Sequence, residues 1–104
     1  MQFILIAYDR QDPEAPTRRT QAREDHLRQA KAMFDQGRWL YAAGILNDQG
    51  QLAGSMIVCD YASREALERE WLQREPYVLH KVWGEVRVHR AQVAPFLTRK
   101  AEGS

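Results

Sequence analysis

An α+β fold of order βαββαβ, with two helices over one face of a four-stranded antiparallel sheet, is predicted by three observations. Four runs rich in Ile, Leu, Val, Trp and Tyr are separated by two segments of helical periodicity. The second and third runs are joined by Asn47-Asp48-Gln49-Gly50, a composition suited to a hairpin turn. Glu75-Pro76 fixes where the second helical segment must stop, because the residue before proline is pushed out of the α region. Right-handed crossovers put both helices on the same side, which is the ferredoxin-like arrangement.

The first strand is expected over Gln2 to Tyr8, apolar on both sides and ending at Asp9 before the polar, proline-containing loop DRQDPEAPT. A helix follows, with Thr17 or Thr20 as N-cap, Leu27, Ala30, Met33 and Phe34 on one stripe, and Gly37 as the stop. Extended backwards, that stripe meets His26, Arg23 and Arg19, so the helix opens polar on the face that later packs inward. Trp39 to Leu46 and Leu52 to Cys59 form the hairpin. Ser63 caps the second helix, in which Leu67 and Trp71 make the apolar stripe and Arg64, Glu65, Glu68 and Arg69 face water. That helix is expected to run to Glu75-Pro76, with a further helical turn over Tyr77 to Lys81. Trp83 to Arg90 alternates apolar Val86 and Val88 with polar Glu85, Arg87 and His89, as a strand does, and Val93 to Phe96 is expected as an edge segment. One domain spans residues 1–97, and 98–104 is a charged tail.

No helix covers the second face of this sheet, yet the strands carry apolar residues there as well. Phe3 and Leu5 stand against Ile4 and Ile6, and Trp39 and Tyr41 against Leu40 and Leu46. A broad apolar sheet face marks an interface, so a homodimer packed sheet to sheet is expected.

Composition excludes several classes. Fifteen basic against fourteen acidic residues leave a net charge of +1, so no general field attracts nucleic acid or a membrane surface. The opening MQFILIAYD is too short to span a bilayer and lacks a basic flank, so it reads as a strand rather than a signal, and the protein is expected in the cytoplasm. Cys59 stands alone inside LAGSMIVCD and reads as core; no internal disulfide or thiolate metal cluster can form. His26, His80 and His89 lack zinc-ligand spacing, so no metal is expected, and His80 and His89 are assigned to water or the dimer seam. The glycines form neither a dinucleotide fingerprint nor a P-loop, and no cofactor is expected.

The residues expected to carry chemistry are His26 and Glu75. Histidine takes and gives a proton near neutral pH, and a carboxylate beside it fixes the tautomer and stabilises the imidazolium. Arg23, one turn before His26, suits an anionic substrate, and Tyr77 suits a hydrogen bond at the pocket wall. Arg19 reads as a solvated basic edge, and Trp71 and Trp83 as core.

The opening strand FILIAYD, the RxxHL pattern at Arg23 to Leu27, the helix exit DQGRWLYAAG and the segment EPYVLHKVWGEVRVHRAQV resemble the YCII-related proteins, of the dimeric α/β-barrel group, over nearly the whole chain. The resemblance implies that His26 lies in an active site and that Glu75 is the carboxylate before proline and an aromatic. The family's usual residue there is aspartate, and Glu75 is one methylene longer, which changes its reach. The resemblance further implies a pocket in each subunit and lyase or isomerase chemistry on small aromatic or lactone compounds. Two functions are therefore expected: a cofactor-independent acid/base enzyme acting on a small anionic or phenolic molecule, or a dimeric binding or accessory module with the same pocket and no turnover.

Overall fold

The computed structural model describes residues 1–98. The tail expected over 98–104 therefore lies, from residue 99, outside the described residues. The elements are β1 (Gln2–Asp9), α1 (Ala15–Asp35), β2 (Trp39–Leu46), β3 (Leu52–Asp60), α2 (Arg64–Glu70), α3 (Pro76–Leu79), β4 (Trp83–Ala91) and α4 (Pro95–Thr98), with a 3₁₀ turn over Leu72–Arg74 between α2 and α3. The strands lie antiparallel in the order β2-β3-β1-β4, the ferredoxin-like topology the sequence predicts.

Alternation along β1 divides the two faces. Phe3, Leu5 and Ala7 are buried and pack with Ile57 and Cys59 of β3 and with Leu67 and Trp71, whereas Ile4 and Ile6 are half-buried on the other side. Register carries that second face across the sheet: Ile4 stands opposite Val58 and Ile6 opposite Met56. A register shift between Trp39 and Tyr41 separates those two residues, which strict alternation would put on one face. Trp39 pairs with Cys59 on the core side and is buried, while Tyr41 pairs with Val58 and is exposed. An extra residue in one strand reverses the facing of everything after it.

Three boundaries and the inward face of one helix differ from expectation. Helix α1 begins at Ala15 rather than at Thr17 or Thr20, because proline is tolerated in a helix's first turn, where amide donors lack intrahelical partners. Thr20 Oγ1 instead donates to the Pro16 carbonyl at 3.1 Å. Leu27 and Phe34, expected on the inward stripe, are 49% and 59% exposed, so the buried line of α1 is Arg19, Ala22 and His26, continued by half-buried Ala30 and Met33. Helix α2, capped by Ser63 as expected, ends at Glu70 instead of running to Glu75; the tighter 3₁₀ turn takes the chain on to the proline corner. The segment after β4 is not an edge strand: β4 stops at Ala91, and Pro95 opens α4.

Turns complete the frame. At the hairpin, Asn47 Oδ1 accepts from the amides of Gln49 and Gln51, and Gly50 takes a φ of 77°, where a side chain would be strained. Between α3 and β4, Lys81 adopts a φ of 57° and its carbonyl accepts two hydrogen bonds from the Arg18 guanidinium, at 3.1 and 2.9 Å.

Gly54 marks a close approach of backbone to backbone in the sheet. A Cβ placed there would stand 2.6 Å from the Ala7 carbonyl oxygen, a backbone atom held in the β1–β3 ladder. Gly54→Ala is therefore expected to lower stability by about 1–3 kcal/mol, as overpacking does. Urea denaturation with an unchanged midpoint would show that the two strands separate freely there.

Candidate active site

Glu75 takes the extended backbone that a following proline imposes, with φ −65° and ψ 122°. From that corner its side chain turns inward and is fully buried. Its Oε2 caps α3 by accepting from the Tyr77 amide at 3.0 Å, and its Oε1 accepts from the Trp71 indole at 2.8 Å. The third contact is His26, whose Nδ1 lies 2.6 Å from Oε2. A buried carboxylate is tolerated only when its oxygens are satisfied, and here N–H groups serve both. A carboxylate offers only acceptors, so Nδ1–H donates to Oε2, and Nε2 is the ring nitrogen with no hydrogen-bond partner among the described residues.

The His26 ring is held on its flat side as well. It stacks on Tyr77 at 3.9 Å between centroids and 10° between planes, and meets Trp83 edge-on. Tyr77 in turn lies under the Arg19 guanidinium, 4.7 Å from the ring centroid, and its hydroxyl accepts from Arg19 Nη1 at 3.4 Å. Burial pushes the Tyr77 hydroxyl above its ordinary range, partly opposed by the nearby charges of Arg19 and Arg23, so it stays protonated and able to donate. Arg19 is itself buried and neutralised by Asp9 at the end of β1, with 2.7 Å between Nε and Oδ2. It also donates to the Gly54 carbonyl at 3.2 Å.

A cavity of about 510 Å³ opens between α1 and β2. Arg19, Arg23, His26, Tyr77 and Ser55 border it among polar side chains, with Leu27, Phe34, Trp39 and Ile57 among the apolar ones. This size suits a small organic molecule. The structure thus brings His26, Glu75 and Tyr77 into direct contact, and sets Arg23, which is exposed and makes no ion pair among the described residues, at the cavity wall. The longer glutamate side chain reaches the histidine at full hydrogen-bond contact. His80 and His89 are both exposed and stand apart from the cavity. Among the described residues no three His, Cys, Asp or Glu side chains gather as a metal site.

Sequence reasoning missed three participants. Arg19 was assigned to a solvated edge, but Asp9, the acidic end of an apolar strand, draws it inward; an arginine on an inward helical stripe with an acid at the adjoining strand end is the signal. Trp71 is core as expected, and it also clamps Glu75 from four residues away. Ser55 accepts from Trp83 Nε1 at 3.2 Å beneath the cavity, which nothing in the sequence pattern marks.

The fold and site together define a ferredoxin-like protein whose buried histidine–carboxylate pair opens onto a cavity of ligand size. The model of the YCII-related domain matches residues 1–92, and the chain belongs to that family. A solved structure with the same fold is the 5-chloro-2-hydroxyhydroquinone dehydrochlorinase of Burkholderia phenoliruptrix in complex with 2,5-dihydroxybenzoquinone; it aligns with a TM-score of 0.76 at 15% identity, covering 92% of this chain and 98% of that one. The likeness shows a shared fold. No curated protein sequence matches the chain significantly.

Titration of the interior gives a test of this packing. Burial raises the Cys59 thiol from 9.0 to about 12 and lifts the Tyr61 and Tyr77 hydroxyls above 10.0. The unfolded chain releases those protons at ordinary values while the native chain keeps them, so above about pH 9 the unfolded state binds fewer protons and stability falls as pH rises. The urea midpoint is expected to hold steady up to that point and then decline through the alkaline range. A midpoint flat to about pH 11 would contradict the burial of these groups.

Proposed function

We propose that the protein is a cofactor-independent acid/base enzyme of lyase or isomerase type, acting on a small hydroxylated aromatic, quinone-like or lactone molecule. The observation that carries the reading is the 2.6 Å contact between His26 Nδ1 and the buried Glu75 carboxylate beside a cavity. In this reading His26 Nε2 removes a proton from an acidic O–H or C–H of the substrate. Glu75 holds the ring and offsets the imidazolium charge while the proton is resident. His26 then returns the proton to another atom of the substrate or to a leaving group, which closes the cycle without an external redox partner. Arg23 stabilises negative charge that develops on substrate oxygen, and the Tyr77 hydroxyl donates a hydrogen bond to it. Arg19, neutralised by Asp9, adds orientation rather than net charge: it holds the Tyr77 hydroxyl and the ring beneath it. The dehydrochlorinase fold likeness supports the choice of lyase chemistry on a hydroxylated ring.

The reading includes a homodimer built on the second sheet face, where half-buried Ile4, Ile6, Met56 and Val58 and exposed Tyr41 supply an apolar surface. It assigns the work to the cytoplasm, where a lone thiol such as Cys59 stays reduced. Among the described residues no helix is long and apolar enough to cross a membrane. Light scattering at micromolar concentration is expected to give twice the chain mass, and Ile6→Asp to give a folded monomer or a strongly weakened dimer. A wild-type monomer would remove the sheet-to-sheet pairing.

Turnover of 5-chloro-2-hydroxyhydroquinone and binding of 2,5-dihydroxybenzoquinone provide the functional probes. His26→Asn is expected to lower kcat by roughly 10²–10⁴-fold while the quinone dissociation constant moves only a few-fold. Glu75→Gln, which keeps the shape and loses the charge, is expected to fall between the two. Wild-type binding with no turnover of this probe or of small phenolic and lactone acids would leave a binding module in place of an enzyme.

A further inference from the structure

The wall of the cavity contributed by α1 is polar at one end and apolar at the other. Arg23, Leu27, Ala30 and Phe34 are spaced at i, i+4, i+7 and i+11, which places them in a nearly straight line along one flank of the helix. This flank stands beside the buried line of Arg19, Ala22 and His26. Its length, about 1.5 Å for each of the residue steps from Arg23 to Phe34, is roughly 16 Å. Leu40, Ala42 and Gly44 of β2 border the same cavity across from it.

Charge along this line is uneven. Among the described residues no aspartate or glutamate borders the cavity. Arg19 is neutralised by Asp9, and Lys31, near the far end, is paired with Asp35 at 2.8 Å. Arg23 is the bordering cation that makes no ion pair among the described residues, and it sits one turn from His26. Beyond it Leu27, Phe34 and Leu52 hold 38–59% of their surfaces open. Open apolar side chains along a cavity wall headed by an uncompensated cation are complementary to an amphipathic anion.

We propose that the ligand of this site is a monoanion with an extended apolar body, longer than a single ring: its anionic head lies at Arg23 and its body along Leu27, Ala30 and Phe34. The proposal names the substrate class of the acid/base site and rests on that reading only for the reaction, since the complementarity concerns binding alone. The head at Arg23 puts the first atoms of the body beside His26 Nε2, so the reacting position is close to the anionic group and the remainder of the body serves recognition.

Isothermal titration with straight-chain carboxylates from acetate to tetradecanoate tests this on the intact wild-type protein. Affinity is expected to rise by roughly fourfold per added methylene until the chain fills the line to Phe34, and then to level off. Arg23→Gln should weaken every member about tenfold or more, and the matching uncharged amides should bind wild type that much more weakly. Phe34→Ser, at an exposed position, should leave short carboxylates unaffected and remove the gain from the longest ones. Affinity independent of length, or indifference to Arg23→Gln, overturns the proposal, as does failure of every carboxylate to bind because a second copy of the chain covers the groove. His26→Asn separates the two readings: it should keep the length dependence. A flat length dependence with His26-dependent turnover defeats this proposal alone, whereas a preserved length dependence with turnover unaffected by His26→Asn defeats the acid/base reading alone.

Discussion

A buried carboxylate at a proline corner is the constraint on which the site depends. Glu75 has no contact with water, so its charge has to be met entirely by protein donors. Those donors arrive from three places: the indole of Trp71 before the 3₁₀ turn, the amide of Tyr77 at the start of α3, and the imidazole of His26 on α1. The carboxylate therefore couples the end of the second helical segment to the first helix. Each donor is also part of the core, Trp71 against Trp39 and Tyr61, and Tyr77 against His26 and Trp83. Loss of the carboxylate would leave three buried N–H groups unpaired, so stability and candidate chemistry share the same atoms.

The arrangement also explains how one histidine is made directional. Its Nδ1 is committed to Glu75 and its face to Tyr77, which leaves one ring nitrogen with no partner among the described residues. The second buried pair, Arg19 with Asp9, does the corresponding work for Tyr77 by fixing both its ring and its hydroxyl. Glu75 thus holds the His26 ring, the Arg19–Asp9 pair holds the Tyr77 hydroxyl, and Arg23 supplies a cation with no ion pair among the described residues. In that division of labour, burial determines position and exposure leaves charge available.

Much of the fold was legible because it follows from period and punctuation. Alternation in β1, the Asn47–Gly50 turn, the Ser63 cap and the proline after Glu75 each express a local rule, and the βαββαβ order follows from them. The family was legible for the same reason, since its motifs fall at those junctions. What escaped the sequence depends on contacts between distant segments. The shift between Trp39 and Tyr41 is specified by the neighbouring strand and not by β2 itself. The inward turn of Arg19 requires Asp9 to be adjacent in space, and the role of Trp71 requires the 3₁₀ turn that brings its indole back onto Glu75. Leu27 and Phe34 follow the apolar period of α1 but border a cavity rather than the core, a distinction that periodicity alone does not carry.

The central claim is that Glu75 holds His26 as the Nδ1–H tautomer with Nε2 presented to the ligand. Nitrogen-15 chemical shifts of the His26 ring at neutral pH, recorded with and without 2,5-dihydroxybenzoquinone, test it most directly. The account predicts a protonated Nδ1 and an unprotonated Nε2 in the free protein, with the Nε2 resonance moving on ligand addition and the Nδ1 proton retained. A ring protonated at Nε2 alone, or shifts unchanged by bound ligand, would contradict it.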